Sequence, residues 1–205
     1  RAAEIVQAVK SATELPVTVK IRTGWTNSDK AVEIALRLEA AGADMLAVHG
    51  RTVAQGYGGK ADWDVIAQIA RSLSIPTVGN GDITCPKQGV ALLRESGCAG
   101  VMIGRGILGN PFFFTNLHRL LQGKQPETPG CSERFEAAID HLERAAQRFG
   151  DHRAMLELKK HLGFYFKGMK GASKLRVAMH SAKSWAELVD TIKQASAWSD
   201  GAQEA

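Results

Sequence analysis

"PVTVKIR", residues 16–22, is the stretch whose reading decides the fold. Side chains alternate along a strand, so Val17, Val19 and Ile21 fall on one face and Thr18, Lys20 and Arg22 on the other. A parallel sheet covered by helices on both sides buries both faces in apolar residues, and a mid-strand lysine fits poorly there. In a closed parallel barrel the apolar face packs under the outer helices, while a polar residue near the strand's C-terminal end points into the mouth where barrel sites lie. The stretch therefore favours a barrel wall, with a lysine at a sheet's surface edge as the bland alternative for Lys20.

The neighbouring sequence repeats this unit. Helical "AAEIVQAVKSA" leads to strand "PVTVKI", helix "SDKAVEIALRLEAAG" to strand "DMLAVHG", helix "WDVIAQIARSL" to strand "PTVGN", and helix "PKQGVALLRESG" to strand "GVMIG". The helices repeat apolar residues at three and four, and the strands are short, β-branched runs closed by glycine or polar residues. Four such units predict an α/β fold with a parallel sheet, since parallel neighbours need crossover connections. A whole TIM (β/α)8 barrel needs eight units and ~250 residues, so the expectation is half a barrel over residues 1–121. Residues 122–131, rich in proline and glycine, read as a linker. From 132 to 205 the pattern is helical only, with helices expected at 133–150, 152–171 and 184–197, giving a small all-helical domain.

Composition narrows the class. The chain has 205 residues, 44% hydrophobic and 23% charged, with a net charge of +5. These values suit a soluble globular protein. No apolar run approaches the ~20 residues of a membrane span, and the opening residues lack a signal peptide's pattern, so a cytoplasmic location with no membrane partner is expected. Cys85, Cys98 and Cys131 are too widely spaced for a metal clamp. Charge is uneven: residues 151–180 hold seven Lys/Arg against Asp151 and Glu157. Interleaved with Phe164, Tyr165 and Phe166, this basic stripe predicts a polyanion-binding surface, with solvated lysines on an ordinary helix as the alternative.

Two glycine turns close the last two strands, "GNGDI" at 79–83 and "IGRG" at 103–106. The letters Gly104-x-Gly106-x-x-Gly109 spell a dinucleotide fingerprint, but that motif belongs to the first βαβ unit and here it closes the last one. A barrel phosphate site instead uses the loops after the seventh and eighth strands, with backbone N–H groups facing the anion. Arg105 would add a charged fork and Pro111 would open the next helix. Lys20, the "HGRT" run at 49–52 and both turns thus converge on one rim. A lysine and a histidine there can stabilise negative charge on a cofactor's reactive ring.

"VKIRTGW", "VHGRT", "NGDI", "MIGRGILGNP" and "KKHLGFYFKGMKGASKLR" resemble, in the same order, the bacterial tRNA-dihydrouridine synthases. The resemblance implies an FMN-dependent oxidoreductase that reduces a uridine of tRNA with hydride from NADPH, on a barrel followed by a helical tRNA-binding domain. By the family's pattern Lys20 and His49 contact the flavin, and Asn80, Gly81, Asp82, Gly104 and Arg105 hold its phosphate. Arg51, Lys159, Lys160, Lys167, Lys174 and Arg176 face RNA.

The departures matter as much. The family's proton-donating cysteine sits in an asparagine-x-glycine-cysteine-proline loop, and this sequence has none. Phe112 stands where tryptophan is common, and Lys170 where proline is usual. The resemblance thus implies strands five to eight of such an enzyme, an N-terminally truncated fragment that alone binds FMN weakly and lacks activity. The full-length protein is expected to be a monomer. An FMN barrel oxidoreductase acting on a small molecule, or a non-catalytic tRNA-binding protein, are the competing readings. The choice between NADPH and NADH, and the tRNA position modified, stay open.

Overall fold

The computed structural model describes residues 1–200; residues 201–205, the end of the expected helical domain, lie outside them. No helix among the described residues is long and apolar enough to cross a membrane. The chain divides into two compact units, Arg1–Gly106 with Leu117–Lys124, and Ile107–Asn116 with the chain from Gln125 onward.

The first unit alternates helix and strand: α1 (Ala2–Ser11), β1 (Thr18–Arg22), α2 (Ala31–Ala40), β2 (Met45–His49), α3 (Trp63–Ser72), β3 (Thr77–Asn80), α4 (Pro86–Ser96) and β4 (Gly100–Met102). The strands form one parallel sheet in the order β1-β2-β3-β4. This bears out the α/β fold class. The order never reverses, so right-handed crossovers carry every helix to the same side.

The core shows which side. Val19 and Ile21 of β1, with Leu46 and Val48 of β2, join Val6 of α1, Ala35 and Leu38 of α2, and Ile66 and Ile69 of α3 in one hydrophobic cluster. Register puts the alternate residues on the opposite face, where Lys20 pairs with Ala47, Ala47 with Val78, and Val78 with Gly100. Helices begin where side chains can take up their free N–H groups. Asp62 accepts from the Val65 N–H at 3.0 Å to start α3, and Pro86, which has no N–H to satisfy, opens α4.

The second unit is helical: α6 (Cys131–Phe149), α7 (Asp151–Tyr165), α8 (Ala172–Ser181) and α9 (Trp185–Asp200), preceded by α5 (Phe113–Leu121), which the two units share. Its core takes Phe135 and Leu142 from α6, Leu158 and Leu162 from α7, Met179 from α8, and Leu188 and Ile192 from α9. Two details differ from the sequence expectation. The single helix expected over 152–171 stops at Tyr165, and α8 follows as a separate helix, because Gly168 and Gly171 take positive φ, a conformation that ends a right-handed helix. Pro111 does not open the helix after the second glycine turn; α5 starts at Phe113.

Candidate functional site

The polar residues singled out in the first unit lie along one edge of the sheet. Arg22 pairs with His49, His49 with Asn80, and Asn80 with Met102, so these four residues share one row at the strands' C-terminal ends. Paired residues of parallel strands project to the same face, here the face opposite the helix-packed core. Lys20 lies one step back along the same face and is exposed. The structure therefore brings Lys20, His49 and Asn80 together, next to the turns that follow β3 and β4.

Those two turns touch. A Cβ placed on Gly106 would lie 2.2 Å from the Ile83 carbonyl oxygen, so only glycine allows this approach. The Asn80 side-chain amide donates to the Met102 carbonyl at 2.6 Å. Asn80, expected at the phosphate, thus ties the two strand ends together. Gly104 is exposed, and a Cβ there would meet nothing within 4 Å. Arg105 begins a single 3-10 turn, Arg105–Ile107, and its guanidinium sits 4.7 Å from the ring centre of Tyr57. In these turns, among the described residues, no backbone carbonyl takes up the N–H groups of Gly81, Asp82, Gly104 or Arg105. That donor set suits an anion.

Arg51 and Asp82 have a different place from the one expected. Arg51 is 3% exposed. Its Nη2 donates to both Asp82 carboxylate oxygens at 2.8 Å and to the Gly59 carbonyl, also at 2.8 Å, while Nε donates to the Gly58 carbonyl at 3.0 Å. The Ala61 N–H donates to Asp82 Oδ2 at 2.7 Å. Arg51, expected at RNA, is engaged here in clamping its own loop to the turn after β3. Asp82 offers its carboxylate to this clamp, and a carboxylate would repel a phosphate. Burial raises the Asp82 pKa, but the Ala61 N–H and Arg51 outweigh it and hold the group below the ordinary aspartate value. Its φ of 55° is the one positive value among non-glycine described residues.

His49 is buried, with Nε2 3.5 Å from Arg51 Nη1. Burial, and then the cations of Arg22, Lys20 and Arg51, push its pKa below the ordinary histidine value, with Asp82 opposing. The site therefore disfavours the imidazolium form.

Sequence reasoning missed two rim residues. Arg22 donates to the carbonyls of Thr52 at 2.7 Å and Gly56 at 2.9 Å, and sits 6.0 Å from the Tyr57 ring centre. Its signal was the same alternation that exposed Lys20. Tyr57, in a glycine-rich loop, carries no comparable local signal.

In the helical unit the basic residues divide. Lys167 and Lys174 are exposed. Lys160 pairs with Glu157 at 3.4 Å on the surface, and Arg176 donates to the Ser173 hydroxyl at 3.2 Å. Lys159 is drawn inward, donating to the carbonyls of His180, at 3.3 Å, and Ala182, and so capping the C-terminal end of α8. The aromatic residues of the stripe do not interleave with it on the surface: Phe166 is fully buried against Phe135 at 4.7 Å, Tyr165 is buried, and Phe164 alone is exposed.

Comparison with known proteins bears on this geometry. The family model described as "Dihydrouridine synthase (Dus)" matches residues 1–199. Probable tRNA-dihydrouridine synthase 1 of Synechocystis is 40% identical over 193 residues, covering 93% of this chain and 54% of that protein. The probable tRNA-dihydrouridine synthase of Rhodobacter capsulatus is 39% identical over 196 residues, covering 95% of this chain and 60% of its own. tRNA-dihydrouridine synthase B of Pseudomonas putida is 38% identical over 180 residues, 87% of this chain and 53% of that one. The chain spans about half the length of the curated relatives it matches. With a family model matching nearly from end to end, over both the sheet and the helical unit, this chain belongs to the dihydrouridine synthase (Dus) family.

Proposed function

We propose that this chain carries strands five to eight of an FMN-binding (β/α)8 barrel and the helical tRNA-binding part of an enzyme that reduces uridine to 5,6-dihydrouridine in tRNA, with NADPH as the reductant. The observation that carries this is the row Arg22, His49, Asn80 and Met102 with Lys20 behind it, on the sheet face opposite the helix-packed core and flanked by two touching glycine turns. Helices α1 to α3 packed on one sheet face and a strand order without reversal support a barrel wall over a doubly wound sheet.

The donors present fit a flavin mononucleotide. The N–H groups at Gly81, Gly104 and Arg105 and the Arg105 guanidinium would hold its phosphate, while Lys20 and His49 would lie toward the ring. FMN held there and reduced by NADPH would supply the hydride that the pyrimidine accepts. Lys20 contributes a positive charge and His49 a neutral hydrogen-bonding edge, both on the face where negative charge would develop. Asn80 holds the two strand ends in register, and the Arg51–Asp82 pair holds the loop after β2. The proton added to the pyrimidine comes, on this reading, from a group outside these residues.

The helical unit meets tRNA through Lys160, Lys167, Lys174 and Arg176, contributing salt-dependent affinity more than base selection. A cytoplasmic, monomeric full-length enzyme fits this role.

The test is the dihydrouridine content of tRNA from a strain deleted for the gene. Loss of dihydrouridine at a defined position, restored by the full-length gene, is the expected result. Unchanged dihydrouridine in a strain without paralogues overturns the reading.

A further inference from the structure

The clamp between Arg51 and Asp82 does more than hold a loop, because its third partner is the His49 ring. A guanidinium has only donors, so when Arg51 Nη1 lies 3.5 Å from His49 Nε2, that nitrogen is the acceptor. A neutral imidazole that accepts at Nε2 carries its proton at Nδ1. The turn after β3 passes close to the same edge: a Cβ added to Gly81 would come within 3.2 Å of His49 Cδ2 and 3.5 Å of Nε2, and Gly81 has a φ of 133° that favours glycine. Arg51 is itself immobilised by the Gly58 and Gly59 carbonyls and by both Asp82 oxygens.

We propose that Arg51 and Asp82 are a positioning pair that fixes the neutral His49 ring in its Nδ1–H form, so that the Nδ1 edge offers a hydrogen-bond donor to whatever occupies the open sheet face. Among the described residues no group takes the Nδ1 side. Every charge facing the ring agrees with a neutral state except Asp82, whose carboxylate is engaged by Arg51: Arg22 and Lys20 come from β1, Arg51 from the loop after β2, and Asp82 from the turn after β3. An acceptor oxygen of a conjugated ring, such as a flavin carbonyl or the pyrimidine's own, is the chemical class such a donor would address. In that respect the proposal rests on the functional reading above, while the tautomer itself does not.

The experiment is ring nitrogen NMR on the 205-residue chain with labelled histidine, without flavin or RNA. The expected spectrum at pH 7 has His49 protonated at Nδ1 alone. In R51M/D82N, which removes the buried Arg51 charge and its partner together and so avoids stranding one of them, the proton moves to Nε2 while circular dichroism keeps its helical signal. In D82N, which keeps Arg51 but weakens its anchor, both tautomers are seen. A wild-type His49 protonated at Nε2, or an unchanged Nδ1–H form in R51M/D82N, overturns the proposal. Failure of the dihydrouridine assay would strike the functional reading and leave this spectrum untouched.

Discussion

The two units use their charges in opposite ways. In the sheet unit the informative charges are inside: Arg51 is 3% exposed, and with Asp82 and the carbonyls of Gly58 and Gly59 it cross-links the loop after β2 to the turn after β3. In the helical unit most charges are outside, in pairs such as Lys160 with Glu157 or Arg144 with Asp140, one helical turn apart and solvated. There the aromatic and aliphatic core fixes the fold, and these surface pairs add little to it. A buried, hydrogen-bonded charge builds a site of fixed shape; a solvated one supplies long-range attraction with little geometric demand.

The sharpest test of that contrast removes the helical core. Phe166 is fully buried against Phe135, so Phe166→Ala should destabilise by about 3–5 kcal/mol, read by chemical denaturation. A loss confined to about 1 kcal/mol would mean that surface charges hold this unit together.

Next in size is Arg51→Met. It leaves Asp82 partly buried without its cation, an expected cost of about 3 kcal/mol, the low end for a broken buried pair because Asp82 is 31% exposed. R51M/D82N should recover much of that loss. A single variant as stable as wild type would put the clamp in the same class as the surface pairs.

A steric comparison follows. Gly106→Ala forces a Cβ against the Ile83 carbonyl and should cost about 1–3 kcal/mol, whereas Gly104→Ala, open on all sides, should leave stability within about 0.5 kcal/mol. The two glycines of the turn after β4 are then separable: one serves packing, and the other serves access.

Smaller still is the pH dependence. The folded His49 resists protonation, so between its ordinary value of about 6.5 and its lower folded value the unfolded chain binds more protons. Stability should therefore fall as pH drops below about 6.5, and His49→Asn should flatten that limb. Asp82, held below its ordinary value, contributes stability that is present above pH about 4 and lost on further acidification through its folded pKa. At the bottom of the scale, Lys160→Ala should change stability by less than about 1 kcal/mol while lowering RNA affinity in a salt-dependent manner.

Much of this architecture was legible in one dimension. Period-2 alternation in residues 16–22 named the polar face of β1, and its register carries that face to His49 and Asn80. The two glycine turns were legible because glycine alone tolerates the contact that Gly106 makes. The assignments that changed were those of side chains able to reach several partners. Arg51 and Lys159 looked like surface cations, since a positive charge in a sequence does not reveal whether carbonyls and a carboxylate will converge on it. Asp82 and Asn80 bond to neighbouring turns for the same reason, while Tyr165 and Phe166 join the helical unit's hydrophobic core.

By itself, then, the sequence determined the alternating elements, the parallel sheet and the rim on which Lys20, His49 and the glycine turns meet, because period and turn chemistry are local. Tertiary structure alone decided which polar groups remain available. Residues 51 and 82, or 159 and 182, are distant in the chain, and only folding brings a donor to its acceptor and settles whether a charge is spent holding the structure or left to act.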